Sequence, residues 1–431
     1  MPDKLNHDFI LKDKGYSNYE DTTELARHRW YYYKEGFSPN IVENAIEQTG
    51  ISKDDLIIDP FNGSGTTTLS SSIKGYKAIG IEVNPFTAFL SDAKLKNADI
   101  SELSRWEDKL LKVAEKGMPS PLQGYSTFSK TKKLSHSETK KLDKWLFNIP
   151  VLKSFEGGWD LTNKISSHNI RKLTRLALIS AAMKNCNATR DGKCLRYRDN
   201  WKENFFNKDT FLDALAFDLA NIKLDIAEKP IEGKTKILQG DCRSILKSSD
   251  EIKSFKLCIT SPPYLNTFDY TDIYRPELFL GKFINDSKSL YDLRMKTVRS
   301  HIQAKWNEPT LKDFGLLYEQ TIKHINEHKE DLMHKSIPMM VQAYFEDMSN
   351  ILKLLHNKAA KDAQIWFVVS NSAYAGMEVP VDLIIGDIAA RAGWYLKEIG
   401  VLRYLKKRKT KHSPNVTLLR ESVIILSKNK F

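Results

Sequence analysis

A glycine-rich turn follows a short apolar run near the start of the chain. Residues 56–61 (LIIDPF) predict a buried strand, and the letters that follow, NGSGTT, predict a tight turn and the beginning of a helix. In that arrangement a ligand can approach backbone N–H groups at the N-terminus of a helix. Gly63 and Gly65 permit the positive φ that lets a ligand lie against bare backbone. We expect Thr66 or Thr67 to cap the helix. An ordinary strand-to-helix turn is the alternative.

Two phosphate-binding signatures do not fit this turn. A P-loop requires GxxxxGK[ST], and the turn has no lysine, while the GxGxxG fingerprint requires a third glycine that does not fall in place. The next predicted strand, 77–82, ends in Glu82, at the place where an acid can accept both hydroxyls of a ribose. A glycine turn facing an amino-acid moiety, together with a ribose-binding acid, predicts a site for S-adenosylmethionine (SAM).

A second acid lies at the end of a third predicted strand, 236–241. Asp241 could accept a hydrogen bond from the adenine amino group of SAM in the same crevice. Taken alone, Asp241 is better explained as a helix N-cap or a solvated turn acid.

The tetrapeptide Ser261-Pro262-Pro263-Tyr264 ends a fourth predicted strand. Consecutive prolines make a stiff turn with outward carbonyls, and a rigid end of a strand is the simplest explanation. Methylating the exocyclic amine of a base requires more, because its lone pair is delocalised into the ring. The Ser261 hydroxyl and the Pro262 carbonyl could accept the two amine hydrogens and free that lone pair. Tyr264 could stack on the base, which is worth about 1–3 kcal/mol and offsets much of the few kcal/mol that extruding a base requires.

DPFNGSGTT (59–67) and TSPPY (260–264) resemble the SAM-binding and catalytic motifs of the DNA amino-methyltransferases, which make N4-methylcytosine or N6-methyladenine, mostly beside restriction endonucleases. The resemblance covers about 28–95 and 236–428. It implies SAM as cofactor, a flipped base in double-stranded DNA as substrate, and a restriction endonuclease of the same cell as a partner. Segment 28–50 resembles the family's cofactor-binding helix, which Ser38 and Pro39 would open. The implied cofactor-binding residues are Phe37, Asp59, Pro60, Phe61, Gly63, Ser64, Gly65, Thr66, Glu82 and Asp241, and the implied catalytic residues are Ser261, Pro262, Pro263 and Tyr264.

The serine that begins SPPY is more typical of the cytosine-N4 branch, so we favour cytosine over adenine. Most N4-cytosine enzymes place SPPY before the glycine turn, whereas here the glycine turn comes first. This order leaves the position of the target-recognition region open. The alternatives are an N6-adenine DNA methyltransferase, an RNA base methyltransferase and a non-catalytic DNA-binding subunit.

Seven apolar runs alternate with helical segments and predict an α/β fold with a mainly parallel sheet. The resemblance implies a Rossmann-like SAM-dependent methyltransferase fold, with a seven-stranded mixed sheet whose last strand is antiparallel. We expect 20–97 and 231–431 to form the catalytic domain. Residues 98–230 form a mainly helical insertion and a candidate target-recognition region, and 265–337 form a second helical insertion. The runs are 56–61, 77–82, 236–241, 256–264, 364–371, 396–405 and 422–427, and an amphipathic helix at about 338–357 precedes the fifth.

The charge balance favours a polyanionic partner. Lys and Arg number 66 against 54 Asp and Glu, which gives a net charge of +12. Two stretches mix cations with turn residues, one in the first insertion and one between the sixth and seventh strands. We favour DNA contacts for both, and a solvated surface is the alternative. The candidate DNA-binding residues are Arg190, Lys193, Arg196, Arg198, Lys406, Lys407, Arg408 and Lys409.

The remaining composition narrows the class of protein. With 431 residues, 41% hydrophobic and 28% charged, the chain is globular rather than disordered, collagenous or coiled-coil. It has no apolar run of about 18 residues, and its first residues are too polar for a signal peptide. Four cysteines without a CxxC pair predict neither a disulfide framework nor a zinc site. We therefore expect a reduced, cytoplasmic protein that uses no metal and binds no membrane.

Overall fold

The computed structural model describes residues 4–12, 22–124, 144–191, 194–407, 412 and 415–430. The strands of this part of the chain, in sequence order, are β1 (Leu5–Asn6), β2 (Leu56–Asp59), β3 (Lys77–Glu82), β4 (Ala188–Asp191), β5 (Cys194–Tyr197), β6 (Thr235–Gln239), β7 (Phe255–Thr260), β8 (Ala359–Ser370), β9 (Ser372–Tyr374), β10 (Met377–Val379), β11 (Tyr395–Lys406) and β12 (Leu418–Ser427).

The helices of the same residues are α1 (Pro39–Thr49), α2 (Thr66–Ile73), α3 (Pro85–Lys94), α4 (Ile100–Lys116), α5 (Ile149–Thr162), α6 (His168–Lys184), α7 (Lys208–Glu228), α8 (Cys242–Ser248), α9 (Tyr270–Ile273), α10 (Arg275–Leu280), α11 (Ser287–Arg294), α12 (Leu316–Glu327), α13 (Ile337–Lys358) and α14 (Val381–Arg391). None of the helices in the described ranges is long and apolar enough to cross a membrane.

Eight of the described strands form one mixed sheet in the order β1-β11-β12-β8-β7-β2-β3-β6. The seven predicted strands are all present, and β12 runs antiparallel to both of its neighbours while the other pairs are parallel. The predicted mixed sheet with an antiparallel last strand is therefore confirmed. Because β2 and β7 are parallel neighbours, the turns that follow them lie at the same edge of the sheet.

The sheet has an eighth strand that the sequence did not predict. Two residues of β1 pair in parallel with β11, at Leu5↔Ile399 and Asn6↔Gly400. The ring of Phe9 lies where a side chain on Gly400 would be, and it also contacts the ring of Trp366 edge to face. A two-residue strand carries no periodic apolar pattern, which is why sequence patterning missed it.

Helix α13 lies against one face of the sheet and confirms the helix predicted before the fifth strand. Its buried side chains recur every three or four residues, as at Met340, Tyr344, Met348 and Ile351. On the other face, α1 begins as predicted, with the Ser38 side chain accepting a hydrogen bond from the N–H of Asn40 at 3.2 Å.

The described part of residues 98–230 contains α4–α7 and the antiparallel pair β4–β5, which share a hydrophobic core with α3. The two segments that connect this insertion to the sheet, one before α4 and one after α7, lie side by side. Asn97 pairs with the backbone of Ile231 in both directions, at 3.0 and 3.1 Å. The buried Arg27 guanidinium donates to the carbonyls of Lys96 and Lys229, at 2.9 and 2.6 Å, and burial lowers its pKa to about 10. These contacts fix the two connections to each other.

Candidate active site

The turns after β2 and β7 open into one cavity of about 450 Å³. Most of the predicted site residues line it, so the structure brings the two motifs together. Those that line the cavity are Phe37, Pro60, Phe61, Gly63, Ser64, Thr66, Glu82, Asp241, Ser261, Pro262, Pro263 and Tyr264, and those that do not are Asp59 and Gly65. This volume is typical of a site for a small molecule.

Asp59 lies beneath the cavity and connects the two turns. Its carboxylate accepts a hydrogen bond from the Thr260 hydroxyl at 2.6 Å and another from the N–H of Phe61 at 3.0 Å. The Thr67 hydroxyl donates to the carbonyl of Ile259 at 3.1 Å, which also links α2 to β7. Burial raises the pKa of Asp59 to about 6. Asp59 is thus buried and does not line the cavity, and the cofactor-binding role that the resemblance implied stays a prediction.

The glycine turn has the left-handed backbone that the sequence predicted, with φ of 48° at Gly63 and 89° at Gly65. Gly65 itself is the N-cap of α2, so the expectation that Thr66 or Thr67 caps this helix is wrong. The Thr67 hydroxyl is directed to β7 instead. In the first turn of α2, the Thr67 side chain therefore contacts β7, while Thr66 lines the cavity.

We expect Gly65→Ala to destabilise the fold by about 2–4 kcal/mol, because the new Cβ would add steric overlap to a backbone that L residues rarely adopt. That atom would lie 2.8 Å from Cβ of Ser91. Gly50→Ala is a matched control, since Gly50 has a φ of 61° with open space around its Cβ position. It should cost only about 1 kcal/mol. Urea unfolding of the two variants measures the difference, and equal losses would show that the close packing on Ser91 has no effect.

Glu82 faces the cavity from the tip of β3 with a fixed orientation. One carboxylate oxygen accepts the N–H of Gly63 at 2.7 Å and the other accepts the N–H of Asn84 at 2.8 Å. Burial raises the pKa of Glu82 above its ordinary value, while the two backbone N–H groups act in the opposite direction. Each oxygen keeps a lone pair for a further donor, which is the acceptor pattern that the two hydroxyls of a ribose require.

Asp241 lines the cavity, but its carboxylate is already engaged. It caps α8 by accepting the N–H of Arg243 at 2.9 Å and forms an ion pair with the guanidinium of the same residue at 2.9 Å. Arg243 also donates to the carbonyls of Lys296 and Thr297, both at 3.2 Å. The N-cap alternative is therefore what the structure shows, and a role toward adenine stays a prediction.

The Tyr264 hydroxyl donates to Oε1 of Glu421 at 2.8 Å. The Ser261 hydroxyl lies 3.4 Å from the Tyr264 hydroxyl oxygen. Glu421 in turn accepts a hydrogen bond from Nε of Arg403 at 2.6 Å, and both residues line the cavity. Burial and the neighbouring Glu421 raise the pKa of Tyr264 well above its ordinary value, so its hydroxyl stays protonated. Sequence reasoning missed Glu421 and Arg403. The only available signal was a charged residue directly before the apolar run of β12.

Aromatic side chains form a further wall of the cavity that was also missed. Tyr33 stacks on Tyr274, with ring centroids 5.1 Å apart and planes 16° apart. Phe268 and Tyr270 contact each other edge to face at 4.7 Å. These rings come from the segment before α1 and from the second insertion, and together they offer flat apolar faces to a planar ligand.

Arg190 is not available to DNA, which corrects the sequence prediction. It is 9% exposed and forms an ion pair with Glu277, which is fully buried. Its guanidinium also donates to the Tyr31 hydroxyl at 3.1 Å and lies 4.4 Å from the centre of the Tyr274 ring. Burial lowers the pKa of Arg190, but the neighbouring tyrosines and Glu35 raise it by more, so the net shift is upward. Its guanidinium is bound to Glu277 and Tyr31 inside the protein, so this residue has a structural role.

The other candidate DNA-binding residues have varied settings. Arg196 is exposed on β5, while Arg198 is half-buried and donates to the carbonyl of Cys186 at 2.8 Å. Lys406 is exposed at the end of β11, and the backbone of the half-buried Lys407 pairs with Thr417. Lys193, Arg408 and Lys409 lie outside the described residues.

The sheet order, the glycine turn and the acid at the tip of the next strand define a SAM-dependent methyltransferase. The chain matches the N6/N4 methyltransferase family model, described as DNA methylase, over residues 4–90. It is 29% identical to the type II methyltransferase M.BsoBI of Geobacillus stearothermophilus, over 95% of this chain and 87% of that protein. It is 26% identical to the type II methyltransferase M.AvaI of Nostoc sp., over 89% of this chain and 82% of that protein.

Among solved structures, the chain aligns with the rRNA methyltransferase aviRa from Streptomyces viridochromogenes at a TM-score of 0.29 and 10% identity, over 99% of this chain and 92% of that chain. The sheet order, rather than this similarity, supports the fold assignment. The chain is thus similar to the DNA amino-methyltransferases, and its methyl donor is SAM.

Proposed function

We propose that this protein is a site-specific DNA methyltransferase of a restriction–modification system, which methylates the exocyclic amine of a flipped base, with cytosine N4 as the favoured target. The observation that carries the proposal is the single cavity shared by the glycine turn and the SPPY turn. The similarity to type II methyltransferases over 85% or more of the chain supports it.

The donor side of the cavity fits SAM. We assign the ribose hydroxyls to Glu82, whose carboxylate is held by two backbone N–H groups, and the methionine end to the glycine turn and Phe37. Ile81 and Val298 offer apolar contacts for the adenine ring. One carboxylate oxygen of Asp241 accepts a hydrogen bond from the adenine amino group in addition to its bonds with Arg243. When bound, SAM supplies an electrophilic methyl group on a sulfonium centre.

The acceptor side is the rigid turn after β7. The Ser261 hydroxyl and the Pro262 carbonyl accept the two hydrogens of the target amine and turn its lone pair toward the methyl carbon. Tyr264 and the ring of Tyr270 hold the extruded base between flat faces. The nitrogen then attacks in line with the breaking carbon–sulfur bond. The serine at the head of the turn is the feature that favours cytosine over adenine.

DNA approaches the cavity along the β11–β12 edge in this proposal. Arg403 and Leu405 line the cavity, and the basic segment 406–409 follows directly after them. Its lysines and arginine would bind phosphates beside the flipped base. We assign target recognition to residues 98–230, with Arg196 and Arg198 as base or phosphate contacts, and catalysis to 20–97 together with 231–431.

The proposal is tested by incubating the protein and methyl-labelled SAM with duplex DNA and, separately, with tRNA. We expect label in DNA, and N4-methylcytosine when the product is digested to nucleosides and identified by mass. N6-methyladenine would replace the cytosine assignment and keep the rest. Label in tRNA alone, or in neither nucleic acid, would overturn the proposal.

A further inference from the structure

Methylation of an amine leaves a proton that must go somewhere. When the target nitrogen gains a methyl group, one of its two hydrogens has to leave as a proton. A serine hydroxyl is neutral and can accept that proton only if it passes on its own. Ser261 therefore needs a second proton acceptor within hydrogen-bond reach.

Behind Ser261 the structure shows a chain of hydroxyl groups that ends at a carboxylate. The Ser261 hydroxyl donates toward the Tyr264 oxygen at 3.4 Å, and the Tyr264 hydroxyl donates to Oε1 of Glu421 at 2.8 Å. Because the Ser261 hydroxyl donates to Tyr264, the lone pairs of its oxygen are left for the amine. The first distance is long, as catalytic hydrogen bonds often are before substrate binds.

Glu421 is placed to receive a proton rather than to contact solvent. It is 3% exposed, and it lies on β12, which is the antiparallel strand between β8 and β11. Its second oxygen accepts the N–H of Arg403 Nε at 2.6 Å, which holds the carboxylate in place.

We propose that Glu421 is the proton acceptor of the methyl transfer and that Ser261 and Tyr264 relay the proton to it. This inference rests on the proposed function. As the nitrogen–methyl bond forms, the carbon–sulfur bond breaks and its electron pair stays on sulfur. In the same step one amine proton moves to Ser261 Oγ, the Ser261 proton moves to the Tyr264 oxygen, and the Tyr264 proton moves to Glu421. The products are the methylated amine, the thioether and a protonated Glu421, which releases its proton after the product leaves.

The competing explanation is structural: the Glu421–Tyr264 bond holds the ring in place for stacking, and the proton leaves to water. The two explanations differ in what Tyr264→Phe does. This variant keeps the aromatic face and removes only the hydroxyl, so a relay predicts a slower chemical step with unchanged DNA binding. A stacking role alone predicts a single-turnover rate close to that of the parent.

The experiment measures single-turnover methylation of duplex DNA, with the dissociation constants of SAM and DNA determined separately. For Tyr264→Phe and Glu421→Gln we expect rates lower by about 10²- to 10⁴-fold, the range of general acid–base catalysis, and dissociation constants within about twofold of the parent. The parent should also be slower in D₂O than in H₂O, and each variant should show a smaller isotope effect. Glu398→Gln on β11, which contacts Asn6 away from the cavity, is the matched control and should behave as the parent.

The outcomes separate the relay from the proposed function. If the parent methylates DNA and both variants keep its rate, the relay is wrong and the proposed function stands. If the variants lose DNA affinity but keep the single-turnover rate, Tyr264 and Glu421 only position the base, and the relay is again overturned. If the parent transfers no methyl group to DNA, the proposed function fails first. Thermal unfolding of each variant shows whether it is folded. If Glu421→Gln does not fold, Tyr264→Phe alone tests the relay.

Discussion

Glu82→Gln is expected to weaken SAM binding by about 10²- to 10³-fold. The carboxylate accepts the N–H groups of Gly63 and Asn84, one on each oxygen, and in our assignment it also accepts the ribose hydroxyls. Glutamine replaces one oxygen with an NH₂ group that has to face one of those backbone donors. Losing charge-assisted hydrogen bonds worth about 1.5–3 kcal/mol each accounts for a loss of this size.

Isothermal titration of SAM into the parent and into Glu82→Gln measures this effect. Glu47→Gln is the control, because Glu47 is exposed on α1 and does not line the cavity, so its SAM affinity should equal that of the parent. A folded Glu82→Gln protein that binds SAM within twofold of the parent would remove Glu82 from the cofactor site.

The second large effect is expected at Arg190, where Arg190→Met should lower the free energy of unfolding by about 3–5 kcal/mol. Glu277 is fully buried, and the ion pair with Arg190 is what compensates its charge. Removing one partner of a buried pair leaves the other charge uncompensated in a medium of low dielectric constant. The double variant Arg190→Met/Glu277→Gln should recover part of the loss, because no charge then remains to be satisfied.

Urea unfolding of the single and double variants gives this comparison, with Arg196→Ala as the exposed control on the same pair of strands. Arg196→Ala should change stability by less than about 0.5 kcal/mol and reduce the salt dependence of DNA binding by roughly one phosphate contact. An Arg190→Met protein as stable as the parent but deficient in DNA binding would contradict the structural role given to Arg190.

Seven of the eight strands of the sheet were predictable because each is an apolar run bounded by turn residues. The glycine turn and SPPY were predictable for the same reason, since each combines unusual residues in a few consecutive positions that follow a strand. Parallel pairing of β2 with β7 then brings their tips together. Features that short-range sequence patterns specify were therefore predicted well.

Contacts between distant residues were not predictable in this way. Tyr264 and Glu421 are 157 positions apart, and nothing local in either segment specifies the other. Arg190 was misassigned for a related reason. A cluster of cations indicates a charged surface only if no buried acid lies opposite, and Glu277 belongs to a different insertion. The capping prediction failed because the Thr67 hydroxyl has an acceptor on β7, outside its own helix.

The direct bonds from Asp59 to Thr260 and from Thr67 to Ile259 have a mechanical consequence. They join the turns after β2 and β7 into one stiff unit, so in the proposed function the distance between the SAM sulfur and the target nitrogen is set when the chain folds and not when DNA binds. The DNA and the aromatic side chains that line the cavity then have to adjust to any error in the position of the base. A substrate whose amine projects even slightly differently would be bound and yet go unmodified, which is a form of fidelity built into the scaffold.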